Sequence, residues 1–108
     1  MEEYRIILES QLGPREGILR VEGEKDAVTG TLTLLGYENP VFGQWTGERS
    51  LRLSHSLHTS VSSFSCISVF ETEKNRIFGT LQNGRNTMEW HGEKISSKEE
   101  GSESNGGE

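Results

Sequence analysis

Alternation of apolar and polar residues is the strongest pattern along this chain. Between Val28 and Leu34, leucine, valine or glycine occupies every second position, and threonines occupy the positions between them. Strict alternation of this kind is typical of a β-strand with one buried face. The same period of two recurs in short stretches from Tyr4 to about Gly92, and the helical period is absent over any useful length. The pattern predicts an all-β domain.

The alternation predicts eight strands in succession. We expect them at residues 4–12, 17–22, 28–34, 41–46, 51–57, 61–72, 77–81 and 87–92. The facing of the sixth strand stays open, because apolar side chains and serines occupy both of its faces. Residues 13–17 and 36–40 have the glycine and proline content of turns, and Asn83-Gly84 predicts a hairpin with a type I′ turn.

The short connections predict how the strands are arranged. They suit antiparallel hairpins and are too short for the crossover that a parallel pair needs. Eight such strands form an up-and-down meander, and pairing of the first with the last closes it into a barrel without exposed edges. Glycines recur on the expected inward face of the strands: Gly17, Gly30, Gly43 and Gly79. They indicate either strongly curved strands or a hollow at one end of the barrel.

Composition limits the chain to one domain. With 108 residues, of which 31% are hydrophobic, the chain has a lean core that a sheet with one buried face can still provide. We expect the barrel at residues 1–95. Residues 96–108 consist entirely of Ser, Glu, Gly, Lys and Asn, which predicts a disordered acidic tail.

Charge and cysteine content exclude several partners. The net charge of -6 leaves no basic footprint for nucleic acid, and it disfavours an anionic membrane surface. No apolar run approaches the roughly 20 residues of a membrane span. Cys66 is the single cysteine, so no internal disulfide can form, and no signal-peptide pattern precedes the first strand. These features predict a cytoplasmic protein.

The residues that could carry chemistry are few. A zinc site would have to gather His55, His58, His91 and a glutamate or Cys66 from separate strands, so we expect neither a metal nor another cofactor. A hydrolase would need a serine or Cys66 beside a histidine, with a third group to orient that histidine. The single aspartate, Asp26, lies in a charged turn. A non-enzymatic protein is the expectation, and a hydrolase remains an alternative.

Two binding hypotheses follow from the barrel. In the first, a small apolar or amphipathic ligand binds at an open end. The residues expected to line that end are Tyr4, Trp45, His55, Met88 and Trp90. In the second, the core is filled and the protein acts through its outer face, as a homodimer or with another partner, through the outward aromatic residues Phe42 and Phe78. A cavity bounded by Trp45 and Trp90 would favour the first hypothesis, whereas a packed interior with both phenylalanines exposed together would favour the second.

Three segments carry a resemblance to known proteins. Residues 13–19, 29–32 and 35–43 have the sequences GPREGIL, TGTL and LGYENPVFG. They resemble a group of small uncharacterised bacterial proteins with the pattern GP-K/R-x-G-x-L, G-T-L and L-G-x-x-N-P-F-x-G, although Val41 adds one residue to the last motif. The resemblance covers nearly all of the expected barrel and implies a small calycin-like barrel. It assigns no functional residue, because its motifs are turns and strand starts.

Overall fold

A computed structural model describes residues 1–58 and 61–97 of the chain. These residues form eight antiparallel β-strands: β1 (Glu2–Ser10), β2 (Gly13–Glu22), β3 (Val28–Leu34), β4 (Tyr37–Trp45), β5 (Ser50–His58), β6 (Ser63–Glu73), β7 (Arg76–Asn83) and β8 (Asn86–Ser97). Within these residues, no helix has the length and apolar character needed to cross a membrane.

The strands close into a barrel. Each strand pairs with its neighbours in the chain, and β1 also pairs antiparallel with β8, from Glu2 opposite Ser97 to Glu9 opposite Glu89. The predicted eight-stranded up-and-down barrel is therefore confirmed. Closure removes the two edges that an open meander would expose along their whole length.

Large side chains fill the barrel interior. Alternation along every strand directs one face inward, and apolar residues from all eight strands form a single core cluster. Trp90 and Phe70 are the largest of its fully buried side chains, and their ring centroids lie 5.7 Å apart. Trp90 is only 1% exposed. A barrel of eight strands is narrow enough to be filled in this way.

The inward glycines mark places where neighbouring strands approach too closely for a side chain. A Cβ atom on Gly30 would lie 1.8 Å from the carbonyl oxygen of Arg20. Gly79 lies between Phe70 and Trp90 across the sheet, and its Cβ would lie 1.9 Å from the carbonyl oxygen of Val69. Of the two explanations offered for these glycines, tight strand curvature is thus the one that the structure supports.

Several predicted boundaries are wrong. The chain turns at residues 11–12, and β2 already begins at Gly13. Pro14 is accommodated because residues 13–16 pair with β1 alone, so no ladder on the other side needs its missing N–H. β4 begins at Tyr37, earlier than predicted, and includes Pro40. The predicted hairpin is present, but Asn83 pairs with Asn86, so the turn lies at residues 84–85. Of these two residues only Gly84 has a positive φ, so the predicted type I′ turn is wrong.

Two further points concern β6 and β8. The structure settles the facing of β6: Cys66, Ser68 and Phe70 point inward. β8 extends to Ser97, so residues 96 and 97 belong to the last strand and not to the predicted tail. The remainder of that predicted tail, residues 98–108, lies outside the described residues.

Strand connections alternate between the two ends of the barrel. The β2–β3, β4–β5 and β6–β7 connections share one end, which we call the charged end. Its loops carry Glu24, Lys25, Asp26, Glu48, Arg49 and Lys74. The described loop residues at the opposite end, 11–12, 35–36, 61–62 and 84–85, contain one charged residue, Arg85. The two ends therefore differ sharply in polarity.

Candidate functional site

Exposed apolar side chains collect at the end opposite the charged end. We call this group the apolar rim, and it consists of Leu12, Leu35, Tyr37, Val61 and Phe64. Leu12 and Val61 are 84% and 89% exposed. Single exposed apolar residues are common on protein surfaces, but a group that shares one surface indicates a binding site. The apolar rim is therefore the candidate functional site.

Leu35 has an unfavourable backbone conformation for a leucine. It has φ of 56° and is followed by Gly36 with φ of 82°, so both central residues of the β3–β4 turn lie in the left-handed region. Such type I′ turns favour Asn, Asp or Gly, and a bulky side chain there is strained. The Leu35 side chain is also 42% exposed, so packing compensates only in part. Turn geometry therefore does not explain why this residue is a leucine.

The hairpin of β5 and β6 projects beyond its neighbours at the rim. Pairing of β5 with β4 stops at His55, and pairing of β6 with β7 stops at Ile67. Beyond these points, residues 56–58 and 63–65 pair only with each other, with Leu57 opposite Phe64. We call this two-stranded projection the β5–β6 arm. It places Phe64 of the rim on the inward face of the arm, above the filled core.

Side chains close the gap between β4 and the arm. His58 Nδ1–H donates a hydrogen bond to Asn39 Oδ1, and the Asn39 amide donates to the carbonyl oxygen of Leu32 at 3.1 Å. The ring of His58 also lies against Tyr37, with centroids 5.6 Å apart. Asn39 is fully buried, and both of its polar atoms are satisfied. This contact fixes Tyr37 and one side of the arm.

The charged end is held together by backbone hydrogen bonds in addition to the strand ladders. Trp45 N–H donates to the carbonyl oxygen of Lys25 at 2.6 Å. Lys94 N–H likewise donates to the carbonyl oxygen of Asn75 at 2.7 Å. In both cases a loop extends the sheet by one bond. This end is therefore closed by polar backbone and covered by charged side chains.

A chain of hydrogen bonds crosses the interior. The Trp90 indole N–H donates to Ser68 Oγ at 2.9 Å, and the Ser68 hydroxyl donates to His55 Nε2, 2.8 Å away. His55 Nδ1 lies 3.0 Å from the carbonyl oxygen of Ser56. A carbonyl oxygen can only accept, so Nδ1 of His55 carries a proton, and in the neutral imidazole Nε2 is the acceptor. Every polar side-chain atom of His55, Ser68 and Trp90 has a partner, as burial requires.

The hydrogen-bond chain from Trp90 to His55 contains the serine and histidine pair that the hydrolase alternative requires. His55 Nε2 is placed to take the proton of Ser68, and a backbone carbonyl holds the ring as a third group would in a catalytic triad. Ser68, however, has 0% exposure, and the Trp90 indole occupies its oxygen. A substrate cannot reach Ser68 in this arrangement. The geometry favours a structural role for the pair.

Burial shifts three pKa values. Burial lowers the pKa of His55, and the hydrogen bond to Ser56 offsets this shift in part. Burial also raises the pKa of Tyr4, together with its 2.7 Å hydrogen bond to Glu2 and the charge of that carboxylate. The pKa of the buried Cys66 thiol is likewise raised, which makes it a poor nucleophile. Within residues 1–58 and 61–97, no three His, Cys, Asp or Glu side chains are grouped to hold a metal ion.

The structure does not gather the residues that were expected to line an open end. Tyr4, His55 and Trp90 are part of the buried interior. Trp45 is partly buried at the charged end, where it lines a surface groove with the β2–β3 and β4–β5 loops. Met88 is partly buried near the rim end of β8. Between the two tryptophans, fully buried Leu51 and Phe70 occupy the interior, so the tryptophans do not bound a common space.

Phe42 and Phe78 lie on the outer face but apart from each other. Phe42 is 58% exposed on β4 and faces solvent beside Ser54 of β5. Phe78 is partly exposed on β7, between Glu71 and His91 of the neighbouring strands. Two strands separate β4 from β7 in the barrel. Phe42 and Phe78 therefore form no common patch, and a role for each in an interface stays a prediction.

Several residues of the candidate site were missed from the sequence. A signal was present for Leu12, Leu35 and Tyr37, because they occupy turn or strand-end positions where polar residues are usual. Ser68 gave a weaker signal, as one serine among many in β6. Asn39 gave no signal, because the adjacent Pro40 made residues 36–40 resemble a turn, and the inward direction of the Asn39 side chain follows only once β4 is known to include it.

Comparison of the chain with protein-family models, with curated proteins and with solved structures found no match in any of the three.

Proposed function

We propose that the protein is a non-enzymatic binding module that takes an apolar or amphipathic ligand at its apolar rim. The observation that carries this proposal is the contrast between the two barrel ends. One end has charged loops, and the other has Leu12, Leu35, Tyr37, Val61 and Phe64 exposed around a single charged loop residue, Arg85. Apolar surface of this kind gains free energy when a ligand removes it from water.

The filled interior defines where the ligand lies. Trp90 and Phe70 occupy the centre of the barrel, so the ligand rests on the core and does not enter it. The β5–β6 arm supplies one wall of the site through Phe64, and the β3–β4 turn supplies another through Leu35 and Tyr37. This is a shallow site at the mouth of the barrel, which suits an acyl or aromatic group better than a fully enclosed molecule.

Leu35 adds support that is independent of exposure. Its positive φ makes leucine a costly residue at this turn, and asparagine would suit both the backbone and the solvent better. Strain at exposed positions is often associated with a functional site. The resemblance to small calycin-like barrels and the expected cytoplasmic location are compatible with the proposal and remain predictions.

A fluorescent probe tests the proposal. Anilinonaphthalene sulfonate, an amphipathic dye, is titrated into the native protein and into variants that carry Phe64→Ser or Tyr37→Ser. We expect both variants to weaken dye binding severalfold. Phe42→Ser is the matched control, because Phe42 is an exposed aromatic residue on the outer face away from the rim. Equal loss in Phe42→Ser, or no loss in the rim variants, would refute the proposal. Native mass spectrometry of protein purified from its own host would then identify the ligand class.

A further inference from the structure

Among the described residues, the staggered strand ends at the rim leave the edge of β6 at residues 63–66 without a second strand partner. β6 extends past its last pair with β7, Ile67 opposite Gln82, so residues 63–66 have a strand partner on the β5 side only. A shallow groove lined by Ser65, Cys66, Ile67, Gln82 and Gly84 lies beside this edge. Unpaired strand edges readily accept another strand.

The direction of the peptide groups follows from one bond at the other end of β6. Thr72 N–H donates to the carbonyl oxygen of Arg49, so the N–H and C=O groups of Thr72 point towards β5. Successive residues of a strand direct their N–H and C=O groups to opposite sides of the strand. Ser63 and Ser65 therefore direct their backbone groups to the open side, where β7 does not reach them.

Two other strand ends at the rim are protected in ways that this one is not. The edge of β2 at residues 13–16 carries a proline and two charged residues, which block strand addition. The gap between β4 and β5 is closed by the hydrogen bond between Asn39 and His58. The β6 edge at residues 63–66 has neither charge nor proline.

We infer that this edge pairs antiparallel with the same edge of a second copy of the chain. The sequence Ser63-Phe64-Ser65 is self-complementary about a two-fold axis at Phe64. In that register, Ser63 of each copy lies opposite Ser65 of the other and exchanges backbone hydrogen bonds with it, while the two Phe64 side chains meet in a non-hydrogen-bonded pair. The row from Leu57 to Phe64 then continues across the axis as one apolar surface.

Charge restricts a second copy to neutral parts of the surface. The chain carries a net charge of -6, so two copies repel unless they meet through neutral surface. The outer positions near the edge are neutral: Ser54, Ser56, Ser63, Ser65 and Ile67. The short edge buries less than the roughly 1,200 Å² of a stable complex, so the dimer is transient. This inference uses neither Phe42 nor Phe78, and it does not rest on the proposed ligand.

Disulfide trapping tests the register. In a non-hydrogen-bonded pair the Cα atoms are about 4.5 Å apart, which allows a disulfide, whereas a residue displaced from the axis cannot reach its own copy. Each test cysteine is introduced into a Cys66→Ala background. We expect Phe64→Cys to form a disulfide-linked dimer severalfold faster than Ser65→Cys or Phe42→Cys under mild oxidation. Equal rates among the three, or the fastest reaction at Phe42→Cys, would overturn the inference.

Sedimentation velocity on the unmodified protein provides a second measurement that needs no cysteine. We expect a reversible dimer whose fraction rises with protein concentration. Ser65→Pro removes an N–H on the open edge that no strand of the barrel uses, so it should leave the melting temperature unchanged and abolish the dimer. A monomer at every concentration, or a dimer that persists in folded Ser65→Pro, would contradict the inference. Dye titrations of Leu35→Asn and Tyr37→Ser report on rim residues outside this edge, so they distinguish failure of the dimer from failure of the proposed ligand site.

Discussion

Replacing Leu35 with asparagine should make the protein more stable while it weakens rim binding. Leu35 has φ of 56°, and the left-handed region costs an L-residue about 1–2 kcal/mol unless it is glycine or asparagine. The lost packing is limited, because the side chain is already 42% exposed. We expect a net gain of about 0.5 kcal/mol, which corresponds to roughly 2–4 °C in melting temperature for a domain of this size.

Thermal unfolding followed by circular dichroism measures the first effect, and titration with anilinonaphthalene sulfonate measures the second. Leu12→Asn is the matched control, since Leu12 is an exposed rim leucine without a positive φ. That control should weaken dye binding without raising the melting temperature. A lower melting temperature for Leu35→Asn would refute the strain argument. Unchanged dye binding would remove Leu35 from the proposed site.

Three other predictions concern the interior and are checked by thermal or denaturant unfolding. Gly30→Ala should lower the free energy of unfolding by about 1–3 kcal/mol, because its Cβ would lie 1.8 Å from the Arg20 carbonyl oxygen. Gly47→Ala, whose Cβ would meet no atom nearer than 3.9 Å, should be close to neutral, and equal effects would contradict the close-approach argument. Ser68→Ala should lower the free energy of unfolding by about 1–3 kcal/mol, because it leaves Trp90 and His55 without their partner. Ser65→Ala, at an exposed serine, should have little effect, and a neutral Ser68→Ala would show that the hydrogen-bond chain is dispensable. Because the pKa of His55 is lowered on folding, the unfolded chain binds the proton more readily. The free energy of unfolding should therefore fall as pH drops through about 6.5, by at most about 1.4 kcal/mol per pH unit. His55→Gln should flatten this profile, and an equally steep profile in that variant would assign the effect to other groups.

The fold could be predicted because the barrel depends on repeated local signals. Period-two alternation identifies a strand wherever one face is buried, and short connections then allow only neighbours to pair. The errors fall where a strand end pairs on one side only. At Pro14 and Pro40, proline occurs within a strand because no neighbouring ladder uses its nitrogen, and a sequence pattern cannot distinguish such a position from a turn.

The candidate site was harder to predict, for a physical reason. Which strand ends project, and which side chains meet at one end, depends on the stagger of strands around the barrel, and no local pattern records that stagger. The sequence pattern correctly directed His55 and Trp90 inward, but an inward side chain can line a cavity or fill it. In the structure His55 and Trp90 fill the barrel interior, and Ser68 joins both residues in one hydrogen-bond chain.

The filled core also bears on why the rim is apolar. Trp90, Phe70 and their neighbours complete the interior without help from the loops, so folding gains little from Leu12 at 84% exposure. For Leu35 the fold would gain from a different residue. Apolar residues that contribute little to the core, and one that strains its turn, are accounted for if the rim is buried in a complex. Stability measurements on the free protein therefore separate the two roles: Leu12→Asn should change only what the protein binds, whereas Leu35→Asn should weaken binding and also relieve the strain of its turn.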